Sequence, residues 1–358
     1  MKRSGCKTVV GLLVVQAVFL LSFSAFGEEV EKTFKKEYST QGKELLKIDN
    51  RYGDVVIENW NENKVLIDVV VKVEHPSRDK AEKYLSMIDI YFNENDNTIE
   101  ARTDIDRDFS FKGGTDRSFS IDYVVKMPAD FNLNLENKYG NIEIEELSGH
   151  VRLAVKYGNL YAARLTRGKE EPLNSVYIAY GKGEILKSGY TELTLRYVGR
   201  LNIGTADAIL LDSRYSKLYV EEVGSVVADS KYDHIEINSV KNFVAEGGYT
   251  GFELGSVGGT LDIDTGYGSI KVEDLMKDFE LVDIRAKYCQ VRLDVDDAAA
   301  YKLNINTSYG GITFDEDNAE IINRIYDNNR KSVEAVVGGK NSESEIKINT
   351  SYGSVRVY

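Results

Sequence analysis

The sequence predicts an all-β chain: a β-solenoid, similar to a parallel β-helix, of 17–18-residue coils, with a less regular β-rich N-terminal cap containing one helix. Three observations carry this. Twelve of the 23 tyrosines recur at one phase, at 52, 139, 157, 180, 197, 215, 232, 249, 267, 288, 309 and 352. From Tyr139 to Tyr309 the steps are 18, 23, 17, 18, 17, 17, 18, 21 and 21 residues, a core period with small insertions. The phrase INTSYGGITF (305–314) returns as INTSYGSVRV (348–357), so one structural unit is spelled more than once.

Aligned on the tyrosine, the units share a grammar. Apolar residues stand six and four places before it, as in Leu133 and Leu135 or Leu303 and Ile305, and three and five places after it, as in Ile142 and Ile144 or Val355 and Val357. Alternation of this kind is a strand with one buried face. Ten of the twelve units obey the second rule, and those at Tyr180 and Tyr197 read as carrying one extra residue. The buried parity changes across the tyrosine, so the chain turns there. Glycine follows the tyrosine in seven units, which suggests a corner with positive φ at that glycine, Gly310 included. A further apolar residue eight places on, such as Leu147, Val223 or Leu275, suits a second inward corner.

Two short strands and two corners per coil give a stack with a rise of about 4.8 Å, so the units from Tyr139 to Tyr309 span roughly 43 Å. The rival geometry is an antiparallel meander with Tyr-Gly at successive hairpin tips. Like side chains at a like phase favour parallel stacking.

The segments outside the rhythm follow in order. Residues 1–27 read as a cleaved export signal: Lys2, Arg3 and Lys7, an apolar run, then the small residues Ala25 and Gly27. Residues 28–127 form the cap region. Within it KVLIDVVVKVE (64–74) and SFSIDYVVKM (118–127) read as longer strands, and SRDKAEKYLSMI (77–88) as a helix with Ala81, Tyr84, Leu85 and Ile88 on one face. Residues 104–117 read as a polar, mobile loop. Residues 128–358 form the solenoid, interrupted at 315–345 by a segment suited to capping its far end.

Composition narrows the partners. Removing three positive charges with the signal takes the formal charge from −13 to −16, which repels a phosphate backbone and excludes nucleic acid. Cys6 lies in the signal, leaving Cys289 without a disulfide partner, as a small corner residue. The expected location is the periplasm or the cell surface, with membrane contact only through the signal segment before cleavage.

The opening KIDNRYGDVVIENW, a helix-containing β segment, and units such as NKYGNIEIEEL and VKYGNLYAARL resemble the bacterial "putative adhesin" family of exported β-strand-repeat proteins. The resemblance covers the chain from about residue 40 onward. It implies a β-solenoid-like fold and an exported location, and brings no catalytic residues. Cys289 in the glycine slot and the 23-residue unit at Tyr157 depart from the pattern.

Enzymatic chemistry finds little support. His75 precedes Pro76 in a loop of the cap region, His150 and His234 fall at different points of the coil, and no HExxH, GxSxG, P-loop or CxxC pattern is present. Three places before the tyrosine, however, four consecutive units carry Asp212, Asp229, Glu246 and Asp264 with outward parity. Stacked about 4.8 Å apart they form a carboxylate column. Arg214 and Lys231 can serve the first two, while Gly248 and Gly266 leave Glu246 and Asp264 uncompensated, open to a Ca²⁺ ion or simply to solvent. The ladder of Tyr139, Tyr157, Tyr180, Tyr197, Tyr215, Tyr232, Tyr249, Tyr267, Tyr288, Tyr309 and Tyr352 reads first as structural stiffening and second as a row that stacks sugar rings or holds a partner protein.

These features make a non-catalytic envelope or surface module that binds an envelope protein or a glycan the leading expectation. A polysaccharide-active enzyme using the acidic face and an envelope sensor are the alternatives.

Overall fold

The computed structural model describes residues 28–339 and 342–358. The expected signal segment lies outside the described residues. Those residues form strands throughout, with one helix, Arg78–Leu85. The strands run parallel from coil to coil: Val151–Lys156 pairs in register with Asn132–Lys138, and Ile142–Leu147 with Leu160–Leu165. That parallel register replaces the antiparallel meander. The ladders join into one continuous 25-stranded sheet that folds into two faces: an approach face, whose strands lead into the tyrosines, and a return face, whose strands leave them. The alternating apolar residues fill the space between, and Leu133, Leu135, Ile142, Leu147, Val223 and Leu275 are all buried.

The corner is built differently from its expected form. The twelve tyrosines themselves take the left-handed conformation, with φ between 55° and 65°, and Gly310 does not. Left-handed backbone costs a residue with a Cβ about 1 kcal/mol or more. Two interactions offset this. Each tyrosine from Tyr52 to Tyr249 donates its backbone N–H to the neighbouring coil, as Tyr139 does to the Lys156 carbonyl at 2.9 Å. Each ring also stacks on the next, at centroid separations of 4.7 to 5.1 Å.

Glycine follows for a reason other than φ. A Cβ on Gly158 would sit 1.9 Å from the Gly140 carbonyl oxygen, and one on Gly310 would sit 2.0 Å from that of Gly353. Backbones of successive coils pass too closely for a side chain. From Tyr197 to Tyr249 the slot instead holds Val198, Ser216, Asp233 and Thr250, all buried.

Register also corrects the unit at Tyr180. Leu160 pairs with Gly183, and Gly183 with Leu201. Glycine therefore occupies the apolar position, its space taken by the Leu201 and Ile178 side chains, and no residue is inserted. The unit at Tyr197 does carry one, because Leu201, four places on, pairs with Leu218, three places after Tyr215.

The stacking order departs from the chain order at both ends. Tyr52 stacks on Tyr139 at 5.1 Å, so a coil from residues 45–59 begins the stack. At the other end Glu345–Ser351 pairs with both Leu281–Val295 and Tyr301–Ser308. The last coil is thus inserted between two earlier ones, and the rings run Tyr288, Tyr352, Tyr309. The two INTSYG phrases lie side by side, Ile305 against Ile348 and Thr307 against Thr350.

Both ends carry added strands, which at the N-terminal end join the first coil in parallel and then continue antiparallel, and at the other end are antiparallel throughout. Before the first coil the approach face gains Thr98–Ile105 and then Ile88–Glu94. The return face gains Ser118–Met127, Lys64–His75 and Glu28–Ser39. The helix lies against the last two of these. It buries Ala81 fully and Tyr84 and Leu85 in part, as expected, but ends before Ile88, which is buried as the first residue of the strand Ile88–Glu94. The 104–117 loop is less free than its polar character suggests, because Phe109 and Phe111 pack edge-on against Phe119, each at 5.1 Å. At the far end a hairpin, Ala319–Tyr326 and Arg330–Val337, adds to Tyr301–Ser308 on the approach face.

Candidate binding surface

The predicted carboxylate column exists in register: Asp212 pairs with Asp229, Asp229 with Glu246, and Glu246 with Asp264. All four side chains point away from the core. The charges are compensated more than the sequence suggests. Arg196 Nη2 reaches the Asp212 Oδ2 at 2.5 Å, and Arg214 bridges Asp212 at 3.0 Å and Asp229 at 2.8 Å. Asp264 is not left bare beside Gly266. Arg285, in the next coil, reaches Asp264 at 3.3 Å, Asp262 at 2.7 Å and Asp283 at 2.7 Å. Its pKa is raised, Asp262 being the leading cause. Compensation arrives from 21 residues on, along the stack and not along the strand. Among the described residues no group of three or more acidic, histidine or cysteine side chains is placed to hold a metal ion.

A second row runs beside this column. Five places before their tyrosines, Leu210, Val227 and Val244 stand in register on the outer surface of the approach face. They are 44, 51 and 38 % exposed, a contiguous apolar stripe where strand parity places solvent-facing residues. Glu192 precedes the stripe in register and Asp262 follows it. Stripe and carboxylates together line a shallow groove of about 460 Å³. Sequence reasoning missed this stripe although its signal was present: three apolar residues sharing the parity of the acids.

The tyrosine ladder offers less than expected. Adjacent ring planes lie within 16° of parallel and cover one another's faces. A sugar ring stacks on an aromatic face, and the interior rungs present only edges and hydroxyls. Phe119 closes the first rung against Tyr52 at 5.1 Å. The exposed outer face belongs to Tyr309, the last ring of the stack and 57 % exposed.

Beneath the corner lies a polar interior unseen in the sequence. Asp233, buried, accepts the Ser216 N–H at 2.6 Å, the Ser230 hydroxyl at 2.7 Å and the Lys231 N–H at 3.0 Å. Burial pushes its carboxyl above the ordinary range despite these donors. It ties two coils together and faces inward. Cys289 is likewise buried at its corner, its sulfur accepting the Gly268 N–H at 3.1 Å, and burial raises its pKa.

The histidines are engaged separately. His75 accepts the Ser77 N–H, His150 meets the Leu173 carbonyl at 3.1 Å, and His234 lies 3.9 Å from Glu236. No helix among the described residues is long and apolar enough to cross a membrane.

No family model matches the chain, and no curated protein matches it. Solved structures do. A putative cell adhesion protein from Clostridium sporogenes is 11 % identical, covering 92 % of this chain and 99 % of its own, with a TM-score of 0.21. A putative adhesin from Bacteroides fragilis is 9 % identical, covering 91 % and 97 %, with a TM-score of 0.31. A putative lipid binding protein from Parabacteroides distasonis is 10 % identical, covering 93 % and 98 %, also at 0.31. The first two descriptions match the family resemblance in the sequence. At these TM-scores the likenesses carry no weight for function.

Proposed function

We propose that the protein is a non-catalytic, exported binding module whose contact surface is the approach face. The observation that carries this reading is the apolar stripe Leu210–Val227–Val244 lying beside the acidic row Asp212, Asp229 and Glu246. Exposed apolar residues in register, rimmed by charge, mark interaction surfaces. A groove with one apolar and one acidic wall suits a partner with alternating apolar and basic side chains, so an envelope protein segment is favoured over a glycan. The mutual covering of the tyrosine ring faces supports the same choice. Ca²⁺ is not required, because arginines already serve Asp212, Asp229 and Asp264.

The test uses the chain from residue 28 onward, a Lys-Val-Lys-Leu repeat peptide and its Glu-Val-Glu-Leu counterpart. Insoluble envelope and plant polysaccharides, with and without Ca²⁺, form the second arm. Saturable binding of the basic peptide alone, weakened at least tenfold by Val227→Lys, is the expected result. Saturable retention on a polysaccharide without peptide binding would move the ligand to a glycan. Released sugar would make the protein an enzyme.

A further inference from the structure

We infer that the C-terminal end of the stack is a self-association surface, on which a second copy of this chain docks so that the two ends close as a step joint. This is independent of the groove.

The inference starts from strand order. Beyond the last coil the approach face continues for two strands, Arg330–Val337 and then Ala319–Tyr326. The return face stops at Ile312–Phe314, whose ladder partner is Val355–Val357. One face therefore overhangs the other by two strands. Among the described residues, Ala319–Tyr326 pairs only with its hairpin partner, so its outer edge is open.

The overhang is apolar on its inner side. Val333, Ala335 and Val337 are buried, and residues paired across a ladder share a face. Ala319, Ile321 and Arg324 are their partners and point the same way. The Arg324 guanidinium, 5.7 Å from the Phe314 ring, marks that side as inward. A register shift between Ile321 and Asn323 places Ile322 at a bulge. Ile322 and Tyr326 are 66 and 51 % exposed, with no strand among the described residues opposite them.

A second copy fits this shape. A two-fold axis along the strands, between the two faces, turns one copy's approach face into the layer of the other's return face. Each two-strand overhang then fills the other copy's two-strand shortfall. The outer strand runs in the same direction as Tyr301–Ser308, opposite to Ile312–Phe314, so the two free edges meet antiparallel. This axis keeps both tyrosine ladders on one edge of the dimer. A two-fold perpendicular to the faces would instead set overhang against overhang and leave the opposite layer open.

Two strands of eight residues give each hairpin a footprint of about 250 Å². That is well below the ~800 Å² per partner of a standard interface. Association is therefore expected to be weak.

The test is sedimentation velocity of the chain from residue 28, whose described fold contains every strand used here, from about 5 to 500 µM. The expected result is a concentration-dependent shift from monomer to dimer, abolished by Ile322→Lys with the melting temperature unchanged. Disulfide trapping fixes the geometry. Ile325 pairs with Ser332, and Ser332 with Asn306, three places before Tyr309; Thr313 stands four places after it. Both face outward at matching distances from the corner, in different layers of one copy about 10 Å apart. Ile325→Cys combined with Thr313→Cys should form a disulfide-linked dimer with oxidised glutathione, and neither single variant should. A monomer at every concentration, an Ile322→Lys chain that dimerises like the parent, or efficient linking through Ile325→Cys alone would each overturn the joint.

Discussion

The two ends of the stack are closed on different terms. At the N-terminal end both faces continue, by two strands on one and three on the other. The outermost return strand, EEVEKTFKKEYS, carries seven charged residues in twelve, which blocks pairing with another edge. Phe119 covers the first tyrosine ring, Tyr52, and the helix covers the outer two strands added to the return face. At the C-terminal end one face continues and the other does not. The outermost strand, AEIINRIY, has two charged residues and exposes Ile321, Ile322, Ile325 and Tyr326. A parallel stack needs a barrier at each end to stop it recruiting further strands. The first end has one of charge and aromatic packing, while the second leaves an apolar edge for a partner.

The largest expected effect tests where the ends are alike. A Cβ at Gly53 would lie 2.1 Å from the Ile121 carbonyl oxygen, and one at Gly310 would lie 2.0 Å from that of Gly353. In both cases the obstacle is backbone, so Gly53→Val and Gly310→Val should each cost about 3 kcal/mol or more in denaturant unfolding. A benign Gly310→Val would show the last coil to be loosely held.

Next come the rings that close the ladder. Phe119 packs on the rings of Tyr52, Phe109 and Phe111, whereas among the described residues the Tyr309 ring stacks on Tyr352 alone. Phe119→Ala should cost about 2 kcal/mol and Tyr309→Ala about 1 kcal/mol, the larger loss where more ring pairs are removed. Equal losses would mean that the C-terminal ring is packed by more than its one neighbour.

Between the ends, Asp233 gives a pH dependence. Its folded pKa is raised by burial, so the folded state binds more protons than the unfolded state between the ordinary carboxylate value and the raised one. Its contribution to stability is therefore greatest below that window and is lost as pH rises through the folded pKa. The melting temperature of Asp233→Asn relative to the parent should rise from pH 4 to pH 7. A flat or falling difference would place the pKa at or below its usual value.

The smallest effect is expected at the open edge. Ile322→Lys should change monomer stability by less than about 0.5 kcal/mol, because the side chain is already 66 % exposed. A larger loss in dilute solution would assign Ile322 to this chain's own packing.

Much of the candidate surface was legible before folding. The parity of Asp212, Asp229, Glu246 and Asp264 placed them outside in one column, and so they stand. The same parity would have revealed Leu210, Val227 and Val244, had apolar residues been sought on the outer face as well as acids. Arg285 was not legible as the partner of Asp264, because a residue 21 places on becomes a neighbour only through stacking. Asp233 sits in the glycine slot, and nothing local distinguishes an inward carboxylate from an outward one.

The sequence by itself determined the coil: its period, its alternating core and the phase of its tyrosines, since each follows from local spacing of apolar residues. Two matters were left to tertiary structure. One is which corner residue takes positive φ, settled in favour of tyrosine because its ring gains a stacked neighbour while glycine admits the adjacent backbone. The other is the order of the coils at the far end. Units with nearly the same side chains at the same phase stack almost equally well on one another, so local pattern cannot rank them. The phrase at 348 slips between the coils of Tyr288 and Tyr309 because the hairpin at 319–337 occupies the outer edge of Tyr301–Ser308, leaving the inner edge for the last strand.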